Sequence, residues 1–169
     1  ARISGGTLEF TTYVLIGRNV GCETVLTLDG GTLDHSNATK NTGLPWAGGR
    51  AELNVTGGLF DNSGRSVTLL EGGGTYGTGI VNLCSGTLTT DSVTNYASGV
   101  LLVNFAGGTL KASSNRLDFL PSRLSGVYSY GPFGTYAGGA VIDTAGRNVT
   151  VSAPVQAPAG QGVTAIAVA

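Results

Sequence analysis

Short apolar runs broken by single polar residues recur along the chain. Leu26-Thr27-Leu28, Leu53-Asn54-Val55, Val81-Asn82-Leu83 and Val103-Asn104-Phe105 each read apolar, polar, apolar. That period of two predicts half-buried strands. A glycine phrase follows each run. It appears as Ser4-Gly5-Gly6-Thr7-Leu8, Asp29-Gly30-Gly31-Thr32-Leu33, Thr56-Gly57-Gly58-Leu59-Phe60, Cys84-Ser85-Gly86-Thr87-Leu88, Ala106-Gly107-Gly108-Thr109-Leu110 and Ala137-Gly138-Gly139-Ala140-Val141. The anchor glycines Gly6, Gly31, Gly58, Gly86, Gly108 and Gly139 are separated by 25, 27, 28, 22 and 31 residues. Repetition at this period is the signature of a solenoid in which each repeat forms one coil.

Two residues beyond each anchor the apolar side chain returns, as Leu8, Leu33, Phe60, Leu88, Leu110 and Val141. The inward parity therefore changes across the glycines, which predicts a bend or bulge at each anchor. Each coil is expected to run strand, glycine corner, strand, variable connection. Coils stacked in parallel lie ~4.8 Å apart, so about six to seven of them make a rod roughly 30 Å long. Leucine, valine and phenylalanine should line the inside, with threonine and asparagine outside or at the corners. The expected fold is an all-β parallel β-solenoid over residues 1–152, with almost no helix.

Composition narrows the picture. The 169 residues suffice for one domain. Glycine supplies 29 of them, methionine is absent, and charged residues make up 11%, which excludes a helix bundle. Nine basic against ten acidic side chains give a net charge of −1, so nucleic acid is not an expected partner. The longest apolar runs, Tyr13–Ile16 and Val100–Val103, are far shorter than the roughly 20 residues of a membrane-spanning helix, and no membrane insertion by this chain is expected. The opening at Ala1, without a basic and then apolar leader, leads us to expect a processed or excised product.

The run Val103-Asn104-Phe105-Ala106-Gly107-Gly108-Thr109-Leu110-Lys111-Ala112-Ser113 and the later stretch from Gly138 to Val151 resemble the autotransporter-associated β-strand repeat proteins. The similarity spans about Ile3 to Ser152. It implies a right-handed parallel β-helix exported to the bacterial cell surface, as in autotransporter passenger domains. It carries no common catalytic residue, so it implies a fold and an extracellular location rather than an active site. A membrane barrel with its many strands does not fit in this length.

Two connections break the repeat. The segment near 37–50 contains Leu44-Pro45-Trp46, and the segment near 121–136 contains Tyr128, Tyr130, Phe133 and Tyr136. Solenoid insertions emerge on one face that often binds, and tyrosine and tryptophan are common interface anchors. Trp46, Tyr128, Tyr130, Phe133 and Tyr136 are therefore candidate binding residues for a glycan or a surface protein, against the plainer reading that they cover the solenoid side. Residues 153–169 read as a proline-containing linker and an apolar strand. Its residues Val163, Ala165, Ile166 and Val168 are candidates for pairing with another copy, end to end.

Candidate chemistry is sparse. Cys22 and Cys84 occupy different positions in their coils, and free thiols are the favoured reading over a disulfide. One histidine and no CxxC argue against a metal site, and no cofactor is expected. Glu9, Asp34 and Asp61 each stand three residues after an anchor, followed at the same step by Thr89 and Lys111. Stacked carboxylates could hold calcium, as in a polysaccharide lyase, but a solvated acidic edge is the simpler account. His35 beside Asp34 should point to the opposite face, so no catalytic pair is expected. Asn37, Asn54 and Asn148 open N-x-T triplets that are taken as incidental, and Gly72-Gly73-Gly74 lacks the Lys-Ser/Thr of a phosphate loop. The expected function is a non-enzymatic structural solenoid of a bacterial surface fibre, with an adhesin-like binder as the alternative.

Overall fold

The computed structural model describes residues 1–69, 76–96, 98–132 and 134–157. Strands follow the repeat. The first coil holds β1 (Arg2–Glu9) and β2 (Val14–Leu15), the second β3 (Glu23–Asp34) and β4 (Thr42–Gly43), and the third β5 (Gly49–Asn62) and β6 (Val67–Leu69). The fourth holds β7 (Gly77–Leu83), β8 (Thr87–Thr90) and β9 (Val93–Asn95), and the fifth β10 (Val100–Phe105), β11 (Thr109–Ala112) and β12 (Arg116–Leu120). Then come β13 (Gly126–Ser129), β14 (Val141–Asp143), β15 (Val149–Val151) and β16 (Val155–Gln156). Among the described residues there is no helix.

Every pairing is parallel, and strands pair with their equivalents one coil away. The first side stacks β1, β3, β5, β7, β10, β13 and β16. β5 turns the corner as one strand, pairing with β7 through Gly49–Val55 and with β8 through Leu59–Asn62. The second side continues from there through β11 to β14. A third side stacks β2, β4, β6 and β9, with β12 and β15 as a separate pair. The result is a parallel β-solenoid of about five turns, fewer than the six to seven that the anchor count suggests. Pairing thins toward the end of the described residues, where β16 contributes two residues against β13.

Like residues form columns inside, as the period-two pattern requires. Leu26, Leu53, Val81, Val103 and Val127 stand in register, as do Leu28, Val55, Leu83 and Phe105. Around the corner Leu33, Phe60, Leu88 and Leu110 form a third column, all buried. Burial of each such side chain contributes about 1.5–3 kcal/mol, and the stack supplies many of them.

Three expectations need correction. Gly6, Gly31 and Gly58 turn with φ of 71°, 71° and 69°, but Gly86 and Gly108 do not take up a left-handed conformation. In the fifth coil that conformation moves to Gly107, at φ 110°. Gly139 is not the counterpart of Gly108. Thr109 pairs with Val141 and Leu110 with Ile142, so Ala140 occupies the corner step. Val141 accordingly faces outward at 46% exposure while Ile142 packs on the core. The insertion after β13 causes the shift. It draws the Gly138-Gly139 pair into backbone bonds with Ala106, Tyr130 and Gly107. Finally, Asn82 and Asn104 are buried rather than displayed. Stacked in register, Asn104 donates its carboxamide to that of Asn82, which offsets part of the cost of burial.

Candidate functional site

The predicted binding aromatics are packed against the solenoid. Trp46 meets Tyr13 edge to face, with centroids 5.0 Å apart and planes at 75°, and Lys40 Nζ lies 5.9 Å from the Tyr13 ring centre. Tyr130 is 7% exposed and joins Cys84 and Ala106 in a small apolar cluster, with Tyr128 and Tyr136 half-buried against it. Two separate groups thus form, on different coils. Phe133, Val163, Ala165, Ile166 and Val168 lie outside the described residues.

Cys22 and Cys84 are both free thiols. Cys22 Sγ donates to the Asn19 carbonyl at 2.7 Å. Burial pushes the Cys84 thiol up to about 11. Burial also raises the Tyr130 and Tyr136 phenols, helped by Tyr128 and by Cys84 respectively. The anionic forms of Cys84, Tyr130 and Tyr136 are disfavoured, because burial removes the water that would solvate them. A nucleophilic thiolate is the opposite of what this environment favours.

The acid column exists as a column. Glu9 pairs with Asp34, Asp34 with Asp61, Asp61 with Thr89, Thr89 with Lys111 and Lys111 with Asp143. Its carboxylates shape turns. Asp34 Oδ1 accepts from the Ser36 amide at 2.9 Å and the Ser36 hydroxyl at 2.7 Å, and these bonds hold its carboxyl below the usual range. Asp61 Oδ1 repeats the arrangement with Ser63, at 3.1 and 2.5 Å, and Asp143 Oδ1 accepts from the Ala145 amide at 2.8 Å. An aspartate two residues before its amide donor makes such a turn unaided. Among the described residues no group of three metal-binding side chains comes together.

His35, which reads as a loop histidine in the sequence, is instead fully buried. Its Nε2 lies 2.9 Å from the Thr12 carbonyl and its Nδ1 2.7 Å from Asn62 Oδ1. Asn62 Nδ2 in turn donates to Arg65 O and Thr90 Oγ1, both at 3.1 Å. Thr42 Oγ1 lies 3.3 Å from His35 Nδ1 and donates to Asn62 Oδ1 at 2.9 Å, and the whole chain of contacts ties four coils together at one corner.

Two concave surfaces stand out among the described residues. One opens at the N-terminal end of the stack, about 550 Å3, with a mainly apolar lining that includes Ile3, Leu8, Phe10, Val14, Leu26 and Leu33. The other, about 590 Å3, lies along the second side, where Asp61, Ser63, Thr87, Thr89, Lys111 and Arg147 contribute polar atoms. Reading the sequence found Asp61 and Lys111 but not Arg147. It follows β14 by a turn, and the shifted register there hid which face it joins.

A scan against protein-family models found no match, and searches of curated proteins and of solved structures found no relative. What the fold defines is a parallel β-solenoid.

Proposed function

We propose that the chain is a non-enzymatic structural β-solenoid, a building block or segment of a bacterial surface fibre joined end to end by strand pairing. The observation that supports this reading is the stacking itself: every pairing is parallel and joins equivalent strands one coil away, so a coil of one copy has the shape to receive a coil of the next. β1 pairs with β3 on one side, and no strand among the described residues pairs with its other edge. Beside that edge the core columns run out into the apolar groove, with Leu8 45% and Phe10 36% exposed. A strand edge beside an apolar floor can receive another strand. Pairing between unlike ends is heterologous and extends without closing. The apolar stretch carrying Val163, Ala165, Ile166 and Val168 is the proposed joining strand of the next copy. The acidic column, engaged in turns, favours a structural role over glycan cleavage. Extracellular placement rests on the resemblance of the repeats.

Sedimentation and negative-stain microscopy over a concentration series test the assembly. Rods that lengthen with concentration are expected. Leu8→Lys combined with Phe10→Lys should keep the rods short, and so should deletion of Gly162–Ala169. Uniform short rods of the unaltered chain at high concentration would overturn the reading.

A further inference from the structure

From the lateral groove we infer a second role, independent of end-to-end joining: it binds an oligosaccharide in which uronate residues alternate with neutral sugars. The groove crosses β5, β8 and β11 and is closed by the turn after β14, a span of roughly 14 Å at the spacing of stacked strands. Its polar atoms are sorted by charge along that span. Asp61 stands at one end, the Thr87 and Thr89 hydroxyls follow, and Lys111 and Arg147 stand at the other.

The two cations are available. The closest carboxylate to Lys111 is Asp143, at 3.8 Å with both side chains close to half exposed, a weak pairing in water. Arg147 makes no ion pair among the described residues. The turn that presents it is nevertheless fixed. Asp143 Oδ1 holds the Ala145 amide, the Thr144 carbonyl accepts from the Arg147 amide at 2.8 Å, and Asn115 Oδ1 accepts from the Asn148 amide at 2.9 Å. Ala145 sits in this turn at φ 50°, a conformation costly for a residue with a Cβ. The backbone that presents Arg147 is already fixed, so only its side chain has to be ordered when it meets an anion.

The charge order selects the ligand. A guanidinium and an ammonium together suit an isolated carboxylate. Asp61 and Asp143 oppose a densely anionic chain, and the hydroxyls and Asp61 suit sugar hydroxyl groups. A purely apolar partner would strand these charges.

Calorimetric titration of the full chain with three hexasaccharides decides the matter: hyaluronan, heparin and a neutral cello-oligosaccharide. Hyaluronan should bind best. Arg147→Gln and Lys111→Gln should each weaken it at least fivefold, and the pair should abolish it. Arg18→Gln, far from the groove, should leave it unchanged. All three substitutions lie on exposed or half-exposed side chains, and circular dichroism melts verify that each variant is folded. Absence of binding, preference for heparin, equal binding of the neutral chain, or indifference to both groove substitutions would each overturn the inference. Rod length is read separately, so failure here leaves the assembly reading standing, and the reverse holds too.

Discussion

A side chain added at a coil corner meets the backbone of the coil beneath it. A Cβ on Gly58 would fall onto the carbonyl oxygen of Gly31, and one on Gly31 onto that of Gly6, while one on Gly6 would meet nothing. All three have φ near +70°. Gly6→Ala should therefore cost roughly 1–2 kcal/mol, from backbone conformation alone. Gly58→Ala should cost several, because conformation and collision add. Urea midpoints compare the two, and equal losses would count against close stacking of the corners. Cys84 supplies a pH dependence. Its folded value, about 11, lies above the 9.0 of the free thiol, so below pH 9 the thiol is neutral folded or unfolded and stability is at its plateau. Between pH 9 and 11 the unfolded chain ionises first, and stability falls by on the order of 2–3 kcal/mol. Tyr130 and Tyr136, raised in the same direction, add to the slope. Denaturation of Cys84→Ala across this range should show a shallower decline; an unchanged slope would remove the thiol from the account.

Strands acquire their partners through columns, and one column binds itself with side chains. Asn82 Nδ2 donates to Asn54 Oδ1 at 2.7 Å, and Asn104 Nδ2 donates to Asn82 Oδ1 at 2.8 Å. The chain of carboxamides ends at Asn104, whose Oδ1 has no partner, because the next position holds Tyr128. Asn82 is the middle link. Asn82→Ala should leave the Asn104 donor and the Asn54 acceptor unmatched and cost about 1–3 kcal/mol. Asn54→Ala, at the half-buried end, should cost less. Thermal melts of the two variants give the comparison, and a reversed order would show that the row does not act as a ladder. The alternation of these strands was legible in the sequence, because burial on one face imposes period two whatever the neighbours are. The burial of the polar row was not. Asparagine in an outward position reads as solvated until the adjacent coils are seen to satisfy it.

At the scale of the whole molecule, the apolar groove beside β1 and the lateral groove arise from the same geometry. Stacking satisfies each strand with its neighbours one coil away, and among the described residues β1 pairs with β3 alone. The outward positions of the paired strands can carry varied side chains without disturbing the stack, and Lys111 stands at one of them, with Arg147 in the turn after β14. Part of this site could be read beforehand: Asp61, Thr89 and Lys111 share a step after their anchors. Arg147 could not, since the insertion after β13 shifted the last corner from Gly139 to Ala140. Tyr130 and Tyr136 of that insertion read in the sequence either as contacts for a partner or as a cover for the solenoid side, and they pack against Cys84 and Ala106, because rings gain by folding back onto an apolar side within reach. Local repetition determined the strands, their inward residues and the parallel order, since these follow from spacing and alternation alone. Only the folded chain decided which corners bend through left-handed glycine, which polar residues are buried together and where charge gathers on the surface. Those outcomes depend on residues distant in sequence, brought within a few ångströms by the winding of the coil.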